Sequence, residues 1–141
     1  MPKPGIEIAN SEWTILKVVW ETEPCTAPDV TEALLESKGW AYSTVRTTMD
    51  RMLAKGLLRS TKIRHMDLYR SAISCRQAQK KELLSTMKRA FNDALTPMMQ
   101  CLLEARGLSR EELAAIERMV EEKKDEVEKS PKSELRNPKQ T

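Results

Sequence analysis

Ala41-Tyr42-Ser43-Thr44-Val45-Arg46-Thr47-Thr48-Met49-Asp50-Arg51-Met52-Leu53-Ala54-Lys55-Gly56 is the stretch on which the fold turns. It reads as one helix stopped by Gly56. With Val45 at zero and about 100° per residue, Met49, Met52 and Leu53 fall within about 80° of it and form one apolar face. Ser43, Thr47, Arg51 and Ala54 fall on the opposite side. That side carries hydroxyls, a guanidinium and little bulk. Such a face can enter a DNA major groove, about 12 Å wide, and hydrogen-bond to base edges. Two short strand-like runs follow, Leu57 to Ile63 and Leu68 to Ile73, joined by the turn Arg64-His65-Met66-Asp67. Their alternation places Leu57, Ile63, Tyr69 and Ile73 inward.

Charge is unevenly spread. Lys38 to Arg70 holds eight basic residues against two acids, a net +6, whereas residues 1–37 hold two lysines against seven acids, a net −5; the whole chain is only +3. A basic helix-plus-hairpin is the footprint of a phosphate-binding surface. An ordinary solvated charged face accounts for the same count.

Two helices precede this stretch. Ser11 can cap a first helix from Glu12 to Glu21. Trp13, Leu16 and Trp20 form its apolar stripe, and Glu12 suits the positive end of the helix dipole. Thr26-Ala27-Pro28-Asp29 opens a second helix by a capping box. That helix runs to about Lys38 and ends at Gly39, with Val30, Ala33 and Leu34 inward. Three helices and a hairpin make a winged helix. The chain is therefore expected to be mainly α with a small β-hairpin: an N-terminal winged helix-turn-helix over 1–74, a helical domain over 75–128, and a disordered tail over 129–141.

The helical domain divides into Cys75–Phe91, a short helix restarted at Thr96-Pro97 where proline interrupts the run, and a last helix opened by the box Ser109-Arg110-Glu111-Glu112. Leu84, Met87, Phe91, Met98, Leu102, Leu113, Ile116 and Val120 form apolar stripes on these helices. They have no large domain of their own to face, and another copy of the chain is the simplest partner.

Cys25, Cys75 and Cys101 are odd in number and widely spaced, which fits neither a disulfide framework nor a CxxC metal clip. Each is expected to be a small buried hydrophobe or an inert thiol, with a redox- or metal-responsive regulator as the alternative. One histidine, no cluster of metal ligands and no glycine-rich phosphate loop argue against catalysis, metal and cofactor alike. No apolar run approaches the roughly 18 residues of a membrane span. The first residues lack a secretory apolar stretch, so a cytoplasmic location is expected.

Four pieces carry a family resemblance: Ile8-Ala9-Asn10-Ser11-Glu12-Trp13-Thr14-Ile15-Leu16-Lys17-Val18-Val19-Trp20, Gly39-Trp40-Ala41-Tyr42-Ser43-Thr44-Val45-Arg46-Thr47, Asp50-Arg51-Met52-Leu53-Ala54-Lys55-Gly56-Leu57, and Leu68-Tyr69-Arg70-Ser71. With a fainter match at Leu108-Ser109-Arg110-Glu111-Glu112-Leu113, the chain resembles the penicillinase-repressor family, the BlaI/MecI/CopY transcriptional regulators of bacteria. The resemblance implies a homodimeric repressor that presents its third helix to each half of a palindromic operator. It implies DNA contacts from Tyr42, Ser43, Thr44, Arg46 and Thr47. Arg51 follows, with the alternative that it pairs with Asp50 or a neighbouring acid. Arg64 and His65 fall at the wing tip that approaches the backbone or minor groove, although His65 equally reads as an idle turn residue. The C-terminal helices would form the dimer interface. The paired CxC site of copper-responsive members is absent. β-Lactam-responsive members are cleaved at an Asn-Phe bond by a membrane sensor-protease, and Cys101-Leu102 occupies that place here. A winged helix that docks protein through the same surfaces is the competing reading; it would expose apolar residues where Ser43, Thr47 and Arg51 stand.

Overall fold

The computed structural model describes residues 7–129. They divide into two compact units, the first ending at Leu83 and the second beginning at Leu84. The first contains α1 (Asn10–Thr22), α2 (Ala27–Ala33), α3 (Tyr42–Lys55), β1 (Leu58–Ile63), β2 (Met66–Ser71) and the opening turns of α4 (Cys75–Phe91). The second contains the rest of α4, α5 (Leu95–Ala105) and α6 (Arg110–Lys129). The chain is mainly helical with one two-stranded antiparallel sheet, as the sequence predicts.

The first helix starts earlier than expected. Ala9, not Ser11, is the residue before it. Glu12 caps it from inside, its Oε1 accepting from the Ala9 N–H at 2.8 Å. Ile15, Leu16 and Val19 are fully buried, while Trp13 and Trp20 pack at the rim. The two indoles meet edge-on, centroids 6.1 Å apart. Trp20 keeps its polar end in use, donating from Nε1 to the Ile73 carbonyl at 2.9 Å. The wheel centre is thus one residue off the expected Trp13-Leu16-Trp20 stripe.

The Thr26–Asp29 capping box is present in both directions, at 3.2 and 2.9 Å. Regular α2 is shorter than expected: it ends at Ala33, and residues 34–38 are turn before Gly39 at φ +63°. Val30 and Leu34 are buried but Ala33 is exposed. A two-turn helix meets the core along the 30/34 row alone. α3 closes at Gly56, φ +81°, with the Leu57 N–H reaching the Met52 carbonyl at 2.9 Å. Val45, Thr48, Met49 and Met52 are its buried face. Thr48 satisfies its hydroxyl on the Thr44 carbonyl at 2.8 Å.

The hairpin pairs Leu58 with Ser71 through to Ile63 with Met66. Its turn is therefore Arg64-His65 alone, both at positive φ (49° and 70°), as a type I′ turn requires. Met66 and Asp67, expected in the turn, belong to β2. Ile63 is 48% exposed rather than inward. Leu57 is used up closing α3, so Leu58 takes the first inward position and Ile63, five residues on, falls on the opposite face. Tyr69 and Ile73 are buried as expected. Cys25 adds a short bridge to β2, exchanging backbone hydrogen bonds with Tyr69 at 3.1 and 2.7 Å. The Glu23 carboxylate holds Ser71 N–H and Oγ at 3.1 Å each.

The break after α4 lies at Asn92 and Asp93, both at positive φ (52° and 62°), not at Pro97. α5 begins at Leu95, so Pro97 sits in its first turn, where an N–H would have no helical partner. The Ser109–Glu112 box opens α6 as expected, at 3.0 and 3.1 Å. Among the described residues none beyond Ala78 is buried. Leu84, Leu102, Leu113 and Val120 are exposed, and Met87, Phe91, Met98 and Ile116 half-buried. Of the two states expected for the cysteines, Cys25 takes the buried one; Cys75 and Cys101 are exposed free thiols. Lys129 closes α6; the rest of the expected tail, 130–141, lies outside the described residues.

Candidate nucleic-acid interface

The N-terminal half of α3 is an open face of hydroxyls. Ser43, Thr44 and Thr47 are exposed, and Tyr42 is 46% exposed. They are held outward because Val45, Thr48 and Met49 are locked inward between them. Arg46 is tied across: its Nη2 donates to Asp67 Oδ2 on β2 at 3.2 Å, and its Nε to Asp50 Oδ1 at 3.4 Å. A cleft of about 180 Å³ opens here, lined by Thr26, Tyr42, Arg46, His65, Met66, Asp67 and Tyr69 among others. It brings Tyr42 and Arg46 of the helix together with His65 of the hairpin turn. Burial pushes the Tyr69 hydroxyl above the ordinary phenol range, with the Arg46 charge opposing.

The C-terminal half of α3 is different. Arg51 Nε lies 3.0 Å from Glu12 Oε2, and its Nη2 donates to Ser11 Oγ at 3.2 Å. Of the alternatives open in the sequence, Arg51 pairs with a neighbouring acid, and the acid is on α1. Lys55 Nζ reaches Glu12 Oε1 at 2.7 Å and the Glu7 carbonyl at 3.1 Å. The Glu12 side chain is wholly buried. Burial raises its carboxyl pKa, but the hydrogen bonds from Lys55, the Ala9 N–H and Arg51 outweigh that and hold it below the ordinary value.

The hairpin carries the other cations. Arg59, Lys62, Arg64 and Arg70 are exposed. None has a salt bridge among the described residues. Arg59 stands directly opposite Arg70. Like charges across a strand pair destabilise it, unless an anion lies between them. Arg64 holds the left-handed region at the turn, where a bulky residue is strained. Sequence reading missed Glu12, Asp67 and the Arg59–Arg70 pair. Glu12 was within reach of a helical wheel, since it shares the row of Ile15, Leu16 and Val19; the arginine pair required the register.

The profile of the penicillinase repressor family matches residues 8–122. The chain belongs to the penicillinase repressor family. It is 20% identical to the methicillin resistance regulatory protein MecI of Staphylococcus aureus strain N315 over 123 residues, 87% of this chain and 100% of that one. It is 26% identical to the penicillinase repressor of Bacillus licheniformis over 119 residues, 84% and 93% of the two. Among solved structures, the DNA-binding domain of the repressor BlaI is 26% identical, with a TM-score of 0.47 over 55% of this chain and 93% of that one. As a member of the penicillinase repressor family the chain is a DNA-binding transcriptional repressor. No helix of the described residues is long and apolar enough to cross a membrane. None of their His, Cys, Asp and Glu side chains form a group of three or more able to hold a metal ion. Cys101 and Leu102 lie inside α5, both exposed.

Proposed function

We propose that the chain represses transcription in the cytoplasm as a homodimer on a palindromic operator. One copy of α3 enters the major groove of each half-site, and one hairpin follows the adjoining backbone. Tyr42, Ser43, Thr44 and Thr47 read base edges or anchor to phosphate, and Arg64 and His65 approach the backbone or minor groove. The observation that carries this reading is the open hydroxyl face of α3 beside a hairpin whose four cations have no acid partner among the described residues. Docking of protein on α3 would call for apolar side chains on that face. The strained backbone at Arg64 supports the assignment, because a charged side chain placed where glycine would be easier points to use.

The exposed leucines and valine of α4, α5 and α6, with Met87, Phe91, Met98 and Ile116, are the surface on which a second copy would pack. Domain limits of 1–74 and 75–128 follow from that division of labour, with Ala78 extending the first unit into α4. Cutting near Cys101-Leu102 by a membrane sensor-protease would remove α6 from the interface and release the operator; the bond lies in a helix, so α5 must unwind there first.

Titrating operator and mixed-sequence duplexes at several salt concentrations tests the reading. About six neutralised phosphates give a slope of log K against log salt near −5. A flat response, or equal affinity for both duplexes, would end it.

A further inference from the structure

We infer that Glu12 is a positioning residue for DNA recognition: it holds Arg51 and Lys55 off the DNA backbone, so that α3 touches DNA through its N-terminal half and the hairpin supplies the phosphate attraction. The inference rests on the DNA-binding reading above.

Three facts carry it. The Glu12 side chain has no exposed surface, although it stands in the first turn of the first helix. Its two oxygens are matched to three donors: Ala9 N–H at 2.8 Å, Lys55 Nζ at 2.7 Å and Arg51 Nε at 3.0 Å. The two cations come from successive turns of α3, and the carboxylate from the helix packed against it. Lys55 commits a second N–H to the Glu7 carbonyl, and Arg51 commits Nη2 to Ser11.

A buried carboxylate stripped of its partners is far costlier than a surface cation without one, because it has no water to turn to. For Arg51 or Lys55 to reach a phosphate, Glu12 would be left in that state. DNA phosphates therefore compete poorly for these two side chains. Glu12 occupies them as an internal anion, and in doing so fixes how α3 lies on α1. Arg46, the third cation of α3, is likewise matched by Asp50 and Asp67. On the hairpin, by contrast, Arg59, Lys62, Arg64 and Arg70 have no such partner among the described residues, and Arg59 and Arg70 face each other. The +6 of the Lys38–Arg70 segment thus overstates what its helix offers to DNA.

The test uses the full chain and a 30-base-pair mixed-sequence duplex, with affinity measured by fluorescence anisotropy from 50 to 300 mM salt. Each additional phosphate neutralised steepens the slope by about 0.9. Glu12→Gln keeps an acceptor for the Ala9 N–H but removes the anion. It should steepen the slope by at least about one unit and tighten binding at low salt, even if it melts earlier. Lys55→Gln, at a partly exposed position that does not depend on Glu12→Gln folding, should leave the wild-type slope as it is. A purely structural Glu12 would lower the melting temperature of Glu12→Gln and leave its slope unchanged, which overturns the inference. So does a drop of about one unit in Lys55→Gln. A wild-type chain without salt-dependent binding overturns the DNA-binding reading itself, and this inference with it.

Discussion

Cutting the chain after Leu83 should give a folded monomer that binds a single half-site. Every buried apolar side chain among the described residues lies between Ile8 and Ala78, so this cut removes none of the core. A cut after Ser74 would. It takes away Ala78, which is fully buried, and Gln77, whose side chain and backbone exchange hydrogen bonds with Ser74 at 2.9 and 3.0 Å. Losing the alanine methyl and the capping pair costs about 2 kcal/mol in all, from about 0.8 for the methyl and about 1 for the cap. In a domain of this size that lowers the melting temperature by roughly 10 °C. Thermal unfolding followed by circular dichroism should separate the two fragments by that much. Affinity reports the other half of the argument. In the dimer the second half-site is met at millimolar effective concentration once the first is bound, and severing the link should weaken binding about 10²–10⁴-fold. That is about 3–5.5 kcal/mol. Sedimentation velocity and anisotropy, on an operator located by footprinting, measure mass and affinity together. A fragment 1–83 that stays dimeric, or binds within threefold of the whole chain, would refute the placement of the dimer contacts beyond Leu83.

Thr47→Ala should relax base preference by about 1–3 kcal/mol at one operator position while leaving non-specific binding alone; competition among single-base operator variants reads this out, and equal loss on all sequences would contradict it. Arg64→Gly should relieve the left-handed strain at the hairpin turn, so that stability holds or rises by up to about 1 kcal/mol, while the salt slope falls by about one unit; a changed operator preference would show that Arg64 reads sequence. Glu12 has its carboxyl pKa held below the ordinary value in the folded state. Its stabilisation is therefore present above the unfolded-state pKa and is lost as pH falls through the folded one. Chemical denaturation from pH 6 to pH 3 should show a shallower acid loss in Glu12→Gln than in the wild type, and parallel curves would mean that Glu12 carries no such linkage.

Much of the fold is legible in the sequence because its signals are local. The Thr26–Asp29 and Ser109–Glu112 boxes, the Gly56 stop and the Val45-Met49-Met52 row each depend on residues a turn apart, and each is found in the structure. The sequence misleads where the deciding partner is distant. Ser11 looks like a cap, but its hydroxyl accepts from Arg51, forty residues away. The expected hairpin is one residue off because Leu57 serves the helix end rather than the strand, and Arg64-His65 gives no sign of a two-residue turn, for which Asn-Gly would be the usual signal. Pro97 reads as a breaker, yet a proline in a first turn breaks nothing. For the candidate site, the exposed hydroxyls of α3 are visible from periodicity. The internal neutralisation of its cations is not, since it needs α1 and β2 brought alongside.

β1 has one further consequence for the molecule. It pairs with β2 along one side and with no other strand among the described residues, so its outer edge presents unpaired backbone N–H and C=O groups. Two such edges could zip together across molecules, and the exposed Ile63 and Met66 near the tip would favour it. Arg59 and Lys62 on that strand repel a second copy. The cations assigned to DNA thus double as guards against self-association. Variants that neutralise the hairpin to weaken DNA binding should also be less soluble, most of all when no nucleic acid is present to cover the edge.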